Sequence, residues 1–264
     1  MTAEVTVEDL GDRLIVTNRN AAQRNPLSEE FYRKLGAAVE AANKEHRIGA
    51  VVLTGEGNFF CSGGNLNMLK ERSALSFEGR QNKIDELQNL IRAIRGCRKP
   101  LIAAVEGGAA GAGVSLALAC DFLVASKEAQ FTLAYVKAGL TPDGGVTSAL
   151  LQALPRALVN EMCLLATPIS TERLYSLGAV NVACEQGEAM TEALALADRL
   201  VAGPIQTIGD IKALLTDAFE LTDDQQLDHE RDAIARALVA PEGQEGINAF
   251  LSKRRPNFRE LEIK

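Results

Sequence analysis

The sequence predicts an α/β protein in which parallel strands are joined by helical crossovers. Short apolar runs are typical of buried strands; they are GAVVLTG, LIAAV and DFLVAS, at residues 49–55, 101–105 and 121–126. The first two runs are each followed by a glycine-containing loop and then by a helical pattern, and this repeated order favours a parallel sheet. With 264 residues, 47 % of them hydrophobic, the chain can bury one sizeable core.

The elements around these strands follow from periodicity and from capping residues. Residues 5–20 alternate apolar and polar side chains around Leu-Gly-Asp, which predicts a hairpin. Ser28 precedes an acidic turn and apolar residues at helical spacing, so we expect it to be a helix N-cap. Residues 77–94 repeat that spacing and predict a long amphipathic helix that Pro100 keeps from continuing. VSLALAC is predicted as a helix and AQFTL as a short strand.

The character of the sequence changes at Pro204. From there on the pattern indicates amphipathic helices only, ending in GINAFLSKRRPNF. We therefore predict a core at residues 1–203 and a helical C-terminal region at residues 204–264. The second part is too short to hold a core of its own, so we expect it to pack on the body or on another subunit.

Charge and composition exclude several classes of function. The net charge of −7 argues against a nucleic-acid partner, since such a protein needs a basic face. No run reaches 18 apolar residues and the first residues do not have the pattern of a signal peptide, so we expect no membrane partner and a cytoplasmic location. Five scattered cysteines fit free thiols in a reducing compartment. The only histidines, His46 and His229, lie far apart, so we predict no metal site and no histidine-based triad.

Local cations would have to hold an anionic ligand on so acidic a chain. Basic residues cluster near Arg24, at residues 70–72, at residues 98–99 and in SKRR, residues 252–255. Any of these clusters can serve that purpose by charge alone.

Two segments share the order of buried strand, glycine-rich loop and helix. They are VVLTGEGNFFCSGGNLNML and LIAAVEGGAAGAGVSLALACD. A helix N-terminus offers unpaired main-chain N–H groups, and two such ends facing one cavity can hold a single oxygen as an oxyanion hole. The glycine order in the second loop, G108-x-x-G111-x-G113, is not that of a dinucleotide fingerprint, and no P-loop Gly-Lys-Ser/Thr is present.

On these residues the chain resembles the enoyl-CoA hydratase/isomerase (crotonase) superfamily. The resemblance rests on NFFCSGGNL and on KPLIAAVEGGAAGAGVSLALACDFLVASKEAQF, and it extends to ALVNEMCLLATPISTERLYSLGAVN and INAFLSKRRPNF. It implies a spiral of strand-strand-helix units, with a helical C-terminal region that forms trimers, often paired into hexamers. It also implies an acyl-CoA thioester substrate and no separate cofactor, since coenzyme A is part of the substrate.

The resemblance assigns roles by position. The two oxyanion-hole amides fall on Gly64 and Ala112, where Ala112 replaces a commoner glycine without losing the main-chain donor. The remaining residues expected to bind CoA or the acyl chain are Arg24, Asn25, Leu27, Ser62, Gly63, Asn65, Leu66, Gly111, Ser115 and Tyr135, with Phe250 and Lys253 approaching the adenine end, often from a neighbouring subunit.

The chain departs from the hydratases of this family at two catalytic positions. Where they carry glutamates, this sequence has Ser115 and Tyr135, and neither side chain is a carboxylate that can activate water at neutral pH. We expect both to line the acyl pocket, with Tyr135 able to donate to a substrate oxygen.

Asp143, in FTLAYVKAGLTPDGG, is the acid that remains. This stretch resembles the branch that contains 1,2-epoxyphenylacetyl-CoA isomerase and the Δ3-Δ2 enoyl-CoA isomerases, in which an acid at this place is the base. Apolar neighbours are expected to raise its pKa. The competing interpretation is that Asp143 only caps the helix expected at residues 144–154.

The sequence thus favours an acyl-CoA isomerase in which one aspartate moves a proton while two amides hold the enolate. Two alternatives stay open. One is an enoyl-CoA hydratase or ring-opening acyl-CoA hydrolase in which Asp143 activates water. The other is a non-catalytic acyl-CoA-binding protein, for which the absence of both glutamates is the best argument.

Overall fold

A six-stranded sheet forms the centre of the computed structural model, which describes residues 4–261. Its strand order is β1-β2-β3-β4-β6-β9; β1 runs antiparallel to β2, and every other neighbouring pair is parallel. The strands span β1 Glu4–Asp9, β2 Arg13–Arg19, β3 Ala50–Gly55, β4 Leu101–Val105, β6 Phe122–Ser126 and β9 Val182–Cys184. The predicted hairpin and the three predicted buried strands are confirmed.

A second, three-stranded sheet lies in the order β5-β7-β8, with bounds β5 Gly108–Ala110, β7 Gln130–Thr132 and β8 Ile169–Ser170. β4 and β5 are followed by a helix, and β6 and β7 by another, so each turn of the chain contributes one strand to each sheet. This is the spiral of strand-strand-helix units that the resemblance implied. The glycine stretch predicted as a loop therefore contains a strand, because β5 finds a parallel partner in β7.

The helices connect and cover the sheets. Their bounds are α1 Glu29–Lys44, α2 Leu66–Arg72, α3 Phe77–Arg95, α4 Ala112–Ala119, α5 Val146–Ala153, α6 Arg156–Leu165, α7 Thr171–Ser176, α8 Ala189–Val201, α9 Ile205–Asp217, α10 Asp223–Ala237 and α11 Pro241–Leu251. Ser28 caps α1 as predicted, since its hydroxyl accepts a 3.1 Å hydrogen bond from Phe31 N. The short helix α2 confirms the helix predicted after the first glycine loop, and α4 begins at Ala112, two residues earlier than expected.

Both faces of the six-stranded sheet are buried. Along β3, Val51 and Leu53 belong to the larger core cluster, whereas Ala50 and Val52 face the other way into a second cluster. This alternation follows from the period of two in a strand. The larger cluster takes side chains from α1 and α3, and the second takes the alanine-rich face of α8. The continuous apolar runs in the sequence reflect this burial on both faces.

The C-terminal part of the described chain is helical from α9 onward, as the sequence predicted. Lys212 of α9 reaches the core, where its Nζ lies 2.7 Å from Asp121 Oδ2 and 3.1 Å from the carbonyl oxygen of Ile94. Asp121 also accepts a 2.8 Å hydrogen bond from Leu101 N, which confirms its predicted structural role, but its side chain is 23 % exposed and so only partly buried. Burial raises the pKa of Asp121, and the charge of Lys212 opposes that shift. The ion pair thus anchors α9 to the residue that directly precedes strand β6.

None of the helices within residues 4–261 combines the length and the apolar character that crossing a bilayer requires.

We expect Lys212→Met to destabilise the fold by about 3 kcal/mol, because it leaves the partly buried Asp121 carboxylate without its buried cation. Urea unfolding followed by circular dichroism measures the loss. The matched control is Lys127→Met, which removes an exposed pair with Glu185 and should cost about 1 kcal/mol or less. Equal losses in the two variants would contradict a buried anchoring pair.

Candidate active site

The two glycine-rich loops touch each other main chain to main chain. A β-carbon at position 63, where φ is +84°, would lie 2.6 Å from the carbonyl oxygen of Ala110 and 2.9 Å from Ala112 N. A β-carbon at position 113 would lie 2.3 Å from the carbonyl oxygen of Cys61. Contacts this short admit no side chain, so glycine is required at both places. A 2.9 Å hydrogen bond from Ala110 N to the Cys61 carbonyl ties the loops together.

This contact brings the two predicted oxyanion-hole amides into neighbouring positions. Ala112 is the first residue of α4, so its N–H has no acceptor within that helix. Gly64 follows Gly63, which lies directly against Ala112 N. Within residues 4–261 neither amide donates a hydrogen bond. Two free main-chain donors in adjoining loops can converge on one acceptor oxygen.

Asp143 is half-buried, and its carboxylate is engaged by a tyrosine. Tyr135 Oη donates a 2.7 Å hydrogen bond to Asp143 Oδ1, and Ser115 Oγ donates a 2.9 Å hydrogen bond to the carbonyl oxygen of Asp143. Burial raises the pKa of the Asp143 carboxyl, as the sequence predicted, while the hydrogen bond from Tyr135 and the charge of Arg72 oppose that shift. The carboxylate is thus held in one orientation in a poorly solvated place.

The helix-cap interpretation of Asp143 is wrong. α5 begins at Val146, its N-cap is Gly145, and no side chain caps it. Gly144 and Gly145 both have positive φ angles, which turns the chain between the carboxylate and the helix. A β-carbon at position 144 would lie 2.7 Å from Ser115 Cβ, so this turn rests directly on α4.

Tyr135 links Asp143 to the second glycine loop. A β-carbon at position 111 would lie 3.9 Å from Tyr135 Cζ, so the ring borders the loop that ends at Ala112. The expectation that Tyr135 donates to a substrate oxygen needs correction, because its hydroxyl hydrogen already goes to Asp143. Burial and the adjacent carboxylate raise the pKa of Tyr135, so the phenol stays protonated. Ser115 is 1 % exposed and supports the same turn from α4.

The segment expected to bind CoA lies beside the first glycine loop. Leu27 N donates a 2.8 Å hydrogen bond to the Gly63 carbonyl, and Ser62 N donates another of 2.8 Å to the Arg24 carbonyl. Arg24 is exposed, with its guanidinium carbon 5.3 Å from the centre of the Phe59 ring. A pantetheine arm entering between these loops would have the Arg24 side chain at the surface beside it.

Asn25, predicted among the CoA-binding residues, has a different part in the structure. Its side chain is fully buried; Nδ2 donates to the carbonyls of Glu56 and Phe59, and Oδ1 accepts from Asn20 N. With φ at +54° the residue also turns the loop. Asn25 therefore holds the loop rather than offering a side chain to a ligand.

The other predicted binding residues are spread more widely. Asn65 Oδ1 caps α2 by accepting from the amides of residues 67 and 68, and Leu66 is exposed. Phe250 is 83 % exposed at the end of α11, and Lys253 follows it with φ at +53°. α11 packs on α9, and no hydrogen bond or ion pair among the described residues joins these two to the glycine loops.

The remaining reactive side chains near the loops are structural. Burial raises the pKa of the Cys61 thiol to about 12, so it is not a nucleophile at neutral pH. Glu106 Oε1 accepts hydrogen bonds from the amides of Gly187 and Ala189 at the start of α8. In the described part of the chain, no group of three or more His, Cys, Asp or Glu side chains is arranged to hold a metal ion.

Sequence reasoning missed the partners of Asp143. The hydrogen bond from Tyr135 spans eight residues and depends on the turn at residues 139–145, which has no sequence signature for side-chain direction. Arg72 was noted only as a member of a basic cluster. Its charge acts on Asp143 from the end of α2, an effect that the sequence pattern does not reveal.

Comparison with known proteins agrees with this fold. The model of the enoyl-CoA hydratase/isomerase family matches residues 14–261. The chain is 32 % identical to 1,2-epoxyphenylacetyl-CoA isomerase of Escherichia coli (strain K12), over 93 % of this chain and 94 % of that protein. It is 30 % identical to 2,3-dehydroadipyl-CoA hydratase of the same strain, with the same coverage. A solved structure, described as an enoyl-CoA hydratase from Polaromonas sp. JS666, superposes with a TM-score of 0.93 at 44 % identity, covering 97 % of this chain and 99 % of the other.

The chain therefore belongs to the enoyl-CoA hydratase/isomerase family, and the resemblance to the crotonase superfamily is confirmed.

We expect Gly63→Ala to lower kcat/KM for an enoyl-CoA about 100-fold, because the new methyl group forces the two loops apart and misplaces both amides. Turnover by purified protein is the measurement. Gly11→Ala is the matched control: φ there is also positive, at +91°, but a β-carbon would have no atom within 4 Å. The control should retain activity and lose only about 1–2 kcal/mol of stability. Equal activity of the two variants would show that the loop contact does not position the site.

Proposed function

We propose that the protein is an acyl-CoA isomerase that uses Asp143 as its single proton-transferring group. The observation that carries the proposal is the half-buried Asp143 carboxylate beside the loop of Ala112, with Ser115 and Tyr135 where the hydratases of the family carry glutamates. In the reaction proposed here, the thioester carbonyl oxygen accepts hydrogen bonds from Gly64 N and Ala112 N. Asp143 then removes a proton from one carbon of the acyl chain and returns it to another.

The chemistry needs only one carboxylate. Removing the proton moves its bonding electrons into the acyl chain and places negative charge on the thioester oxygen, where the two amides stabilise it. Each such fixed donor contributes about 3–4 kcal/mol to the transition state. Returning the proton at the second carbon shifts the double bond and restores the carboxylate, so neither water nor a further reagent is consumed.

The surroundings of Asp143 suit a base of intermediate strength. Burial raises its pKa and so makes it a better proton acceptor than an exposed aspartate, while the hydrogen bond from Tyr135 opposes that rise and favours the ionised form. The likeness to 1,2-epoxyphenylacetyl-CoA isomerase supports the isomerase assignment.

A second candidate is an enoyl-CoA hydratase or ring-opening acyl-CoA hydrolase in which Asp143 activates a water molecule. The likeness to 2,3-dehydroadipyl-CoA hydratase and to the Polaromonas structure favours it. A third is a non-catalytic acyl-CoA-binding protein, which predicts thioester binding by calorimetry without any product. Offering 2-enoyl-CoA and 3-enoyl-CoA separately distinguishes them, since hydration consumes the conjugated thioester and isomerisation of a 3-enoyl-CoA creates it.

Assembly into a trimer or hexamer remains part of the proposal. The region from α9 to α11 exposes large apolar side chains, among them Leu215 and Phe250 on helices and Phe219 and Val239 in the connections between them. An apolar surface of this kind on a helical tail supports contact with other copies of the chain. A cytoplasmic location likewise stays a prediction from the sequence.

Asp143→Asn should lower turnover of a 3-enoyl-CoA by about 10²–10⁴-fold, because the amide keeps the shape of the carboxylate but cannot accept the proton. The rate of formation of the conjugated 2-enoyl thioester is the readout. Asp121→Asn is the matched control, since Asp121 is a partly buried acid in an ion pair with Lys212 and its loss should affect stability rather than chemistry. Near-wild-type rates in Asp143→Asn would reject the assignment.

Tyr135→Phe should move the acidic limb of the kcat/KM profile to higher pH. The hydrogen bond from Tyr135 favours the ionised carboxylate and holds the pKa of Asp143 down, so removing it lets burial raise that pKa further. More of the base is then protonated at a given acidic pH. The exposed Tyr175 provides the control, because Tyr175→Phe should leave the profile in place. A limb that moves to lower pH would contradict this account.

A further inference from the structure

Arg72 is a mostly enclosed cation with unused hydrogen-bond donors. It is the last residue of α2, and its side chain is 18 % exposed. Among residues 4–261 its guanidinium donates no hydrogen bond, and the one carboxylate oxygen within 4 Å, Glu86 Oε2, is 3.7 Å from Nη2. A guanidinium carries five N–H donors in a fixed fork that fits a carboxylate. An acceptor from outside the chain would satisfy them.

Glu86 has another cation at hydrogen-bond distance. Lys83 Nζ lies 2.8 Å from Glu86 Oε1 and 2.9 Å from Glu29 Oε1, so it bridges the two acids. Glu86 Oε2 is buried without a hydrogen-bond partner in the described chain. The Arg72 guanidinium is therefore close enough to be attracted to the Glu86 carboxylate, but its N–H groups donate no hydrogen bond to it.

Arg72 lies at the far end of the helix that starts beside the Gly64 amide. The helix α2 starts beside the Gly64 amide and rises about 10 Å to Arg72, which is comparable with a medium-length acyl chain. The charge of the Arg72 guanidinium acts on both Asp143 and Tyr32, where it opposes the rise in pKa that burial causes. Leu87, next to Glu86 on α3, would contact a β-carbon at position 144 at 3.4 Å. The thioester end, the base and Arg72 thus follow one another across the same region.

A polar groove lies beside Glu86, the neighbour of Arg72. It has a volume of about 390 Å³ between α1 and α3 and is lined by Glu29, Tyr32, Arg33, Lys83 and Glu86. The far wall of a pocket for a plain hydrocarbon chain would be apolar, because each buried polar group without a partner costs free energy. Charged side chains here suit an acyl chain that ends in a polar group.

We propose that Arg72 binds a carboxylate at the far end of the acyl chain, so that the substrates are CoA monothioesters of dicarboxylic acids. The inference rests on the proposed function in one respect: it places the thioester carbonyl at Gly64 and Ala112. A bidentate arginine–carboxylate pair in a partly enclosed place is a strong and directional contact. Specificity then comes from the difference between a charged end and a methyl end of the same chain.

Binding of saturated thioesters tests the proposal without any turnover. The probes are the CoA monothioesters of butanedioic, hexanedioic and octanedioic acids, each paired with the monocarboxylic acyl-CoA of the same length. Calorimetry on the wild-type protein should show about 10- to 100-fold tighter binding of the dicarboxylic member for at least one length, the range expected for a hydrogen bond to a charged group. The preference should be lost in Arg72→Met and reduced in Arg72→Lys, which keeps the charge but not the fork.

The control variant is Lys70→Met, a neighbouring exposed cation on the same helix. Both members of a pair contain coenzyme A, so any effect of Lys70 on the nucleotide cancels in the ratio, which should match the wild type. A wild-type protein that binds each pair equally or prefers the methyl end overturns the proposal, as does an Arg72→Met variant that keeps the preference. If Arg72→Met does not fold, Arg72→Lys decides by the same ratio. A 6-hydroxyhexanoyl-CoA that binds as tightly as the hexanedioic thioester would overturn the choice of a carboxylate.

If the protein shows this preference but turns over no enoyl-CoA, the Arg72 site is supported and the proposed function is rejected. The opposite result, isomerisation without any preference for a charged end, would retain the function and lose the Arg72 site.

Discussion

The structure of the site depends on one contact, the approach of two glycine loops main chain to main chain. Gly63 lies against Ala110 and Ala112, and Gly113 lies against Cys61, at separations that a β-carbon would violate. The loops end in helices α2 and α4, so their contact fixes both helix starts relative to each other. From there, packing of Tyr135 on Gly111 and of Gly144 on Ser115 carries the geometry to Asp143. No single helix or strand positions the site by itself. Because the strands are parallel, the loops that follow β3 and β4 lie at the same end of the sheet.

Opposing influences act on the charge of the Asp143 carboxylate. Burial raises the pKa of Asp143, and Tyr135 and Arg72 restrain that rise. The same carboxylate raises the pKa of Tyr135, which keeps the phenol as a donor. In the proposed reaction, a poorly solvated carboxylate whose ionised form is favoured by a hydrogen bond would serve as the base. Since the glutamates of the hydratases are absent, Asp143 and Tyr135 are the pair of ionisable side chains next to the glycine loops that is available for acid–base chemistry.

Much of the fold could be predicted because it follows from patterns of local sequence. The buried strands, the capped helix α1 and the helical region after residue 204 all have periodicity or capping residues that report them directly. The strand β5 could not be predicted, because it depends on pairing with β7. The positions of the two glycine loops and of Asp143 were predicted from sequence motifs. The direction of Tyr135, the burial of Asn25 and the open donors of Arg72 arise only when distant segments meet.

The most direct test is a crystal structure of the protein with a non-reactive acyl-CoA thioester bound. The account predicts the thioester oxygen within about 3 Å of both Gly64 N and Ala112 N, and an Asp143 carboxylate oxygen within hydrogen-bond reach of the acyl carbon that loses its proton, directly or through one water. A thioester carbonyl held elsewhere, or an Asp143 carboxylate turned toward bulk solvent in the complex, would contradict it.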